Sequence, residues 1–448
     1  MSDSDLPRFF VPFHCPELIG REDDLQRLHD AMAQGNTAVT PALSGQGGVG
    51  KTQLAVAYCY RHARDYPGGV FWLNAGDPGG LVGQMGDYPT QLGLEAVDEA
   101  SSEAEYRRRR ALQWMGTVRG RTDPLVVLDN LDDDALLRQP IAGLGNERIT
   151  GLGCRSLITS RRRELLGCEA LPVDSLSPGA ARELLLRESG RTLDTAEDET
   201  AFGDILDMLG GLPLALRLIG ARLKRGSKSL PETVAMLREK GAVSMTDHRK
   251  LKLDDYQRSV NAVLVESWNG LPTDQPELRA VLQAMACLPV SRQIPEFLVR
   301  AMVDLGGEDD DDLDDPLGEL VDRSLLERPA EGMLRLHPLI HEYAGAQCPA
   351  GFAERVTDQV MRSFLAPDFL RAQSSANFLV LLDALVLLPD PTTSTPGEIH
   401  TLAQLQRLLT LQAHHLRQID RPLPQLYLNH ISFEMLSFGT KYSIFMLP

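Results

Sequence analysis

No stretch of the 448-residue sequence approaches the roughly 20 consecutive apolar residues that a membrane-spanning helix needs. The first twenty residues carry acidic side chains and no long apolar core, unlike a secretory signal or an arginine-rich transit peptide. With 43% hydrophobic and 24% charged residues, the composition is ordinary for a globular protein. We therefore expect a cytoplasmic protein without membrane contact, and its length indicates roughly three domains.

Cysteine and positive charge are both scarce. The six cysteines lie far apart with no C-x-x-C pair, which argues against a zinc site or a disulfide framework and predicts reduced, mostly buried thiols. Lysine and arginine number 45 against 62 acidic residues, for a net charge of -17. Such a field repels nucleic acid on average, so DNA binding would need a local basic face.

Short β-rich runs alternate with helical stretches between residues 16 and 175, a rhythm that is typical of an α/β domain with a parallel sheet and flanking helices. Residues 1–15 form an N-terminal extension in this interpretation. The predicted strands are Thr37–Ser44, Val70–Asn74, Leu125–Asp129, Ser156–Ser160 and Leu171–Val173.

Three further segments follow the α/β domain. Residues 176–258 are predicted to be a helical domain, since Ser177-Pro178 has the character of an N-cap followed by proline at the first helical position. Residues 259–348 end in two extended runs about a Glu-Gly turn, which is the pattern of the wing in a winged-helix domain. Residues 349–448 are predicted to be helical, as the start of a truncated repeat or sensor region.

Gly45-Gln46-Gly47-Gly48-Val49-Gly50-Lys51-Thr52 fits the phosphate-binding pattern G-x-x-x-x-G-K-[ST]. The segment follows a predicted strand and opens a predicted helix, so its backbone N–H groups would face phosphate oxygens at the helix N-terminus. Lys51 would then meet the β and γ phosphates of a bound nucleotide. A plain glycine-rich turn is the alternative, which the downstream acidic strand disfavours.

Thr52 and Asp129 are the predicted magnesium-side residues. Thr52 supplies a hydroxyl, and Asp129 supplies a carboxylate at the end of the apolar strand Leu125–Asp129. The next residue is Asn130, at a position where a second acid would often polarise the attacking water. An amide cannot accept that proton, so any hydrolysis of ATP should be slow.

Several motifs in order resemble the NB-ARC branch of the STAND class of signalling ATPases, which includes plant disease-resistance proteins, animal apoptosome scaffolds and many bacterial members. Besides the glycine-rich loop, the motifs are Leu18-Ile19-Gly20-Arg21-Glu22, Val70-Phe71-Trp72-Leu73, Leu157-Ile158-Thr159-Ser160-Arg161, Gly211-Leu212-Pro213-Leu214 and Leu336-His337-Pro338. The last motif departs from the family's Met-His-Asp, because proline replaces aspartate. The resemblance covers about residues 16 to 345.

The resemblance implies ATP or ADP with Mg²⁺ as ligands, and a role for individual residues. Arg161 would sense the γ phosphate, Pro213 would pack near adenine, and His337 would reach the ADP β phosphate, although His337 could instead be a packing residue of the wing. The implied catalytic residues are Lys51, Asp129 and Arg161. The implied nucleotide-binding residues are Ile19, Gly20, Arg21, Gly45, Gly47, Gly48, Val49, Gly50, Lys51, Thr52, Gln53, Pro213 and His337.

The family mechanism would make the protein a molecular switch, closed with ADP and open with ATP, that self-associates in the ATP state after an unknown protein or ligand trigger. Two alternatives are a transcription regulator that binds DNA through its winged helix and a dedicated P-loop ATPase. The candidate DNA-reading segment Ile294–Leu305 has one arginine and two acidic residues, so DNA is the weaker alternative. Defence and regulation would use the same switch.

Overall fold

The structure, a computed structural model, describes residues 8–12, 18–34, 40–45, 47–76, 78–94, 97, 103–162, 165, 167–226, 229–247, 263–288, 290, 293–303, 314–353, 355–356 and 359–360. The segment predicted as a C-terminal helical region, 349–448, lies almost wholly outside these residues. None of the helices in the described ranges combines the length and apolar character that crossing a membrane requires.

The first module is built around a six-stranded parallel sheet with strand order β1-β3-β4-β5-β2-β6. This confirms the predicted parallel sheet with flanking helices. Its strands are β1 (Phe9–Phe10), β2 (Thr40–Ser44), β3 (Val70–Asn74), β4 (Leu125–Asp129), β5 (Arg155–Ser160) and β6 (Cys168–Pro172). Its helices are α1 (Glu22–Gln34), α2 (Lys51–His62), α3 (Leu81–Gln91), α4 (Glu103–Arg119) and the short α5 (Ala135–Arg138).

Two strands differ from the sequence prediction by more than one residue, and residues 37–39 of the predicted strand Thr37–Ser44 lie outside the described residues. The predicted N-terminal extension contributes β1, whose Phe9 and Phe10 pair with Val70 and Phe71 at the sheet edge. The last strand runs over Cys168–Pro172 instead of Leu171–Val173. Both are edge strands with incomplete burial. β1 has only two residues, and β6 lacks the continuous apolar run that marks a buried strand.

Side chains alternate across the central strands into two cores. Val70, Trp72, Leu125 and Val127 face one core with α1 and α2, while the residues between them face the second core with α3 and α4. Because both faces of β3 and β4 are buried, nearly all their residues are apolar, and each strand is a continuous apolar run in the sequence. The first core continues into the modules that follow, so the three parts share one apolar interior.

The helical module comprises α6 (Pro178–Ser189), α7 (Ala196–Leu209), α8 (Pro213–Lys224) and α9 (Leu230–Asp247). As predicted, Ser177 caps α6 by accepting a hydrogen bond from the Ala180 N–H, and Pro178 takes the first helical position. The main contact inside this module joins α6 and α8, where Gly220 leaves room for the α6 backbone near Glu188.

The third part, here called the hairpin module, covers the described residues from 263 to 346. Its three-stranded antiparallel sheet has the order β7-β9-β8, with β7 at Ile294–Pro295, β8 at Glu327–Ala330 and β9 at Met333–Arg335. The predicted pair of extended runs about a Glu-Gly turn is therefore confirmed as β8 and β9. Its helices are 263–269, α10 (Pro276–Ala286), α11 (Glu296–Met302), α12 (Asp314–Asp322) and α13 (Pro338–Ala346).

Candidate functional site

The glycine-rich loop connects the end of β2 to the start of α2, as predicted. Gly48 and Gly50 have φ values of +84° and +98°, which residues with a Cβ rarely adopt, so glycine is required for this path. Lys51 begins the helix and donates a hydrogen bond from Nζ to the Gly45 carbonyl at 2.8 Å. Gln46 lies outside the described residues. The lysine thus lies across the mouth of a loop that can surround an anion.

Asp129 lies at the carboxyl end of β4, and β5 separates this strand from β2. Its Oδ1 accepts hydrogen bonds from the Thr52 hydroxyl at 2.9 Å and from the Thr159 hydroxyl at 2.6 Å. The Asn130 amide donates to Oδ2 at 3.0 Å. Because carboxyl ends of parallel strands meet at one edge, the interposed strand brings Thr159 between the loop and the acid.

The residues predicted to hold Mg²⁺ fit that ion. Thr52 and Asp129 present adjacent oxygen ligands, which is the donor type that Mg²⁺ prefers, and open space remains on the loop side of Thr52 for water and phosphate. Burial raises the pKa of Asp129, while the hydrogen bond from Thr159 and the charge of Arg335 act in the opposite direction. A cation beside Thr52 would favour the ionised carboxylate further.

A cavity of about 940 Å³ opens in front of the loop, between all three modules. The N-terminus of α8 closes one side, where the Leu214 N–H donates to the Gly48 carbonyl at 3.3 Å. The first turn of α13 closes another, since a Cβ on Gly47 would lie 3.3 Å from Leu339 Cδ2. The predicted site residues that line the cavity are Ile19, Arg21, Gly47, Gly48, Val49, Gly50, Lys51, Thr52, Gln53, Arg161, Pro213 and His337.

Three predicted residues do not line the cavity. Asp129 lies behind Thr52, and Gly45 contributes its carbonyl to Lys51. Gly20, at φ +62°, packs so closely on α6 that an added Cβ would lie 2.3 Å from Ala180 Cβ. Its neighbour Arg21 is buried and donates from Nη2 to the Val49 carbonyl at 2.7 Å. The entry motif therefore lines the cavity through Ile19 and Arg21 and also supports the loop through the Arg21 hydrogen bond.

Comparison with known proteins gives related sequences of much greater length. No family model matches the chain. Regulatory protein AfsR of Streptomyces griseus is 31% identical over 343 residues, and the protein of the same name from Streptomyces coelicolor is 30% identical over 348 residues. Each match covers 75% of this chain and 33% of the relative, so the chain spans about a third of the length of the curated relatives it matches.

Solved structures resemble the chain only distantly. The Walker-type ATPase PABY2304 of Pyrococcus abyssi has a TM-score of 0.34 at 12% identity, covering 73% of this chain and 96% of that one. Cdc6p of Pyrobaculum aerophilum has a TM-score of 0.33 at 16% identity, covering 79% and 97%. The strand, glycine-rich loop, helix and acid-ended strand described above are the parts of a phosphate-binding P-loop domain. The chain contains a P-loop NTPase domain.

Arg161 reaches the cavity from the end of β5 but is held by an acid that sequence reasoning missed. Its Nε donates to Asp132 Oδ2 at 2.6 Å, and its backbone N–H donates to Asp132 Oδ1 at 2.8 Å. The Arg161 side chain is 56% exposed, so this ion pair contributes little to stability. Asp132 instead positions the guanidinium at the rim of the P-loop domain's cavity.

Arg217, Glu327 and Arg335 also line the cavity and were not predicted. Arg217 lies four residues after Pro213, so helical spacing alone could have placed both on one face of α8. Arg335 and His337 are two residues apart, the spacing of one face of an extended chain. Glu327 has no comparable local signal, because it meets Arg335 only through the pairing of β8 with β9.

His337 caps α13. Its Nδ1 accepts a hydrogen bond from the Leu339 N–H at 3.2 Å, which places the ring proton of the neutral form on Nε2. Burial lowers the pKa of His337 to about 4; Glu327 opposes this shift, while the charges of Arg335, Lys51 and Arg217 add to it. At neutral pH the ring is therefore an uncharged donor beside the P-loop.

The depressed pKa of His337 predicts a pH-dependent stability. A histidine with an unfolded pKa near 6.5 and a folded pKa near 4 contributes its full stability above about 6.5 and loses it as the pH falls toward 4. Between pH 7.5 and 5.5 the loss should be no more than about 1.4 kcal/mol. His337→Asn keeps a capping acceptor without titrating, so its thermal midpoint should fall less over this interval. Equal pH slopes in the two proteins would contradict the assigned pKa.

Proposed function

We propose that this P-loop protein is an adenine-nucleotide switch of the NB-ARC and STAND type, closed around ADP and open with ATP. The observation that carries the proposal is one cavity that lies between the P-loop, the start of α8 and the start of α13. A nucleotide in this position would contact all three modules at once. Its phosphate state could then bias how those modules are arranged.

The proposed closed state uses the residues of this chain in distinct ways. Lys51 and the loop N–H groups bind the phosphates, Thr52 and Asp129 hold Mg²⁺, and Pro213 borders the base. His337 would donate its uncharged Nε2–H to a phosphate oxygen. Arg161, at the rim of the cavity, would contact a γ phosphate. In this proposal residues 176–258 are the helical domain, and 259–348 are a winged-helix domain that carries His337.

Slow hydrolysis is part of the proposal. The Asn130 amide donates to Asp129 and has no capacity to accept a proton from water. The output would then be the conformational state and self-association of the ATP form, not product formation. Both Streptomyces relatives are named as regulatory proteins, which supports a regulatory role for this chain as well.

DNA binding through the hairpin module has less support. Arg300, the one arginine of α11, pairs with Glu296 at 2.8 Å and also with Asp314. A helix that contacts DNA phosphates needs basic side chains directed outward. In α11 the Arg300 guanidinium is instead paired with two carboxylates. Within the described residues, α11 therefore lacks the charge of a DNA-reading helix.

The first test is the nucleotide that co-purifies with the full chain, released by denaturation and separated by ion exchange. We expect close to one ADP per chain, retained in Lys224→Ala and lost in Lys51→Ala, since Lys224 is exposed at the end of α8 and Lys51 lies in the loop. Absence of retained nucleotide with rapid ATP turnover would favour a dedicated ATPase. Absence of both nucleotide and turnover would refute nucleotide binding.

A further inference from the structure

Two histidines and an aspartate converge on the P-loop domain at a place that the nucleotide site does not use. His29 belongs to α1, His62 is the last residue of α2, and Asp65 follows in the 3-10 turn Ala63–Asp65. One ligand atom from each lies within 4.8 Å of the other two. None of the three lines the cavity.

The side chains in this cluster are held by their neighbours. The rings of His29 and His62 stack with centroids 4.1 Å apart at an angle of 17°, and Tyr58 stacks on His62 at 4.7 Å. Tyr58 is fixed in turn by a hydrogen bond of 2.6 Å between its hydroxyl and that of Tyr66. His62 Nδ1 lies 3.1 Å from Asp65 Oδ2. Two imidazoles and a carboxylate are thus already close together on neighbouring elements.

Simple packing does not account for one atom of the cluster. His29 Nδ1 is buried and has no hydrogen-bond partner among the described residues, whereas buried polar atoms almost always have one. An imidazole nitrogen that makes no hydrogen bond can coordinate a metal ion.

We propose that His29, His62 and Asp65 bind one divalent transition-metal ion of the zinc class. Two nitrogens and one carboxylate oxygen match the ligands of Zn²⁺, whereas Mg²⁺ and Ca²⁺ take oxygen ligands. The ion would lie at the C-terminal end of α2, where the helix dipole favours positive charge. The neighbouring charge of Arg61 opposes it, so moderate affinity is expected.

Binding requires a modest closure of the cluster. Ligand atoms around a tetrahedral zinc ion lie about 3.3 Å apart, closer than the present span. Asp65 is 56% exposed and can turn inward, and the two rings would rotate out of their stack. Three protein ligands leave a fourth position for water. The ion would then tie α1 to the end of α2, the helix whose first residue is Lys51.

The test uses the full chain without a histidine tag, with ADP and Mg²⁺ in excess so that the P-loop is filled. Zn²⁺ titrated by calorimetry should bind with one equivalent, and Co²⁺ should give visible d–d bands without a thiolate charge-transfer band. His29→Ala and His62→Ala should each weaken binding by at least about tenfold. Asp30→Asn, an exposed neighbour of His29, should leave binding unchanged.

Binding that persists in both histidine variants, a thiolate band, or no binding at all would overturn the proposal. The variants His29→Gln and His62→Gln serve if an alanine variant fails to melt cooperatively. Because ADP occupancy is measured in the same samples, failure of the metal site is distinguishable from failure of the nucleotide site.

Discussion

Gly211→Ala should destabilise the protein by roughly 3–5 kcal/mol and release its nucleotide. Gly211 has a φ of +70°, and an added Cβ would lie 2.5 Å from the Leu176 carbonyl oxygen. That backbone cannot retreat easily, because the Leu176 N–H donates to the Gly211 carbonyl at 2.9 Å. Pro213 starts α8 two residues later, so the displacement would shift Leu214 away from Gly48. Thermal melting and retained nucleotide measure the two effects.

The matched control is Gly210→Ala. Gly210 also has a positive φ, +60°, but an added Cβ would meet nothing within 4 Å. The only expected effect of this substitution is the strain of an alanine in the left-handed conformation, which should lower the free energy of unfolding by about 1 kcal/mol. Nucleotide should therefore be retained in this variant. If the two alanine variants behaved alike, the close approach of Gly211 to Leu176 would not be what fixes the start of α8.

Arg335→Met should lower the thermal midpoint by roughly 5–10 °C, as expected when about 3 kcal/mol is lost by breaking a buried ion pair. Arg335 is 5% exposed and pairs with Glu327 through Nη2 at 2.7 Å and Nε at 2.9 Å. Burial alone would raise the pKa of Glu327, but Arg335 and the neighbouring positive charges hold it below its usual value. Without Arg335, the Glu327 carboxylate is left beside the cavity without its ion-pair partner.

Two comparisons separate this effect from a general loss of packing. The double variant Arg335→Met with Glu327→Leu removes both charges and should recover most of the midpoint. Arg238 and Asp204 form an exposed pair at 2.8 Å, with side chains 64% and 37% exposed, so Arg238→Met should change the midpoint by less than about 2 °C. Failure of the double variant to recover would assign the loss to Arg335 packing instead of the ion pair.

The sequence predicted the local features of the candidate site well, because each belongs to one short segment. The glycines, Lys51 and Thr52 occupy a strand, turn and helix that their own residue types favour. Asp129 can be placed at a strand end from the sequence, because an apolar run leads up to it, and this run is the fully buried strand β4 in the structure. Arg161 is indicated only by the resemblance to the NB-ARC family, and its partner Asp132 depends on how the loop after β4 returns toward β5.

What the sequence could not predict arises between segments that are distant along the chain. Glu327 and Arg335 meet only through strand pairing, and Arg335 also acts on Asp129, which lies about two hundred residues earlier in the chain. The pairing of Phe9 and Phe10 with β3 spans some sixty residues and involves two residues only. Contacts of this kind depend on how whole modules pack together, so the hydrophobic periodicity of a single segment does not predict them.

The glycines of the loop have a consequence for the speed of nucleotide release. An added Cβ on Gly48 would lie 3.2 Å from Leu214 Cβ, and one on Gly47 would lie 3.3 Å from Leu339. Both outer modules therefore rest directly on the loop backbone. A bound nucleotide would depart only as fast as those modules separate, so its residence time would be set by a slow collective motion more than by its phosphate contacts.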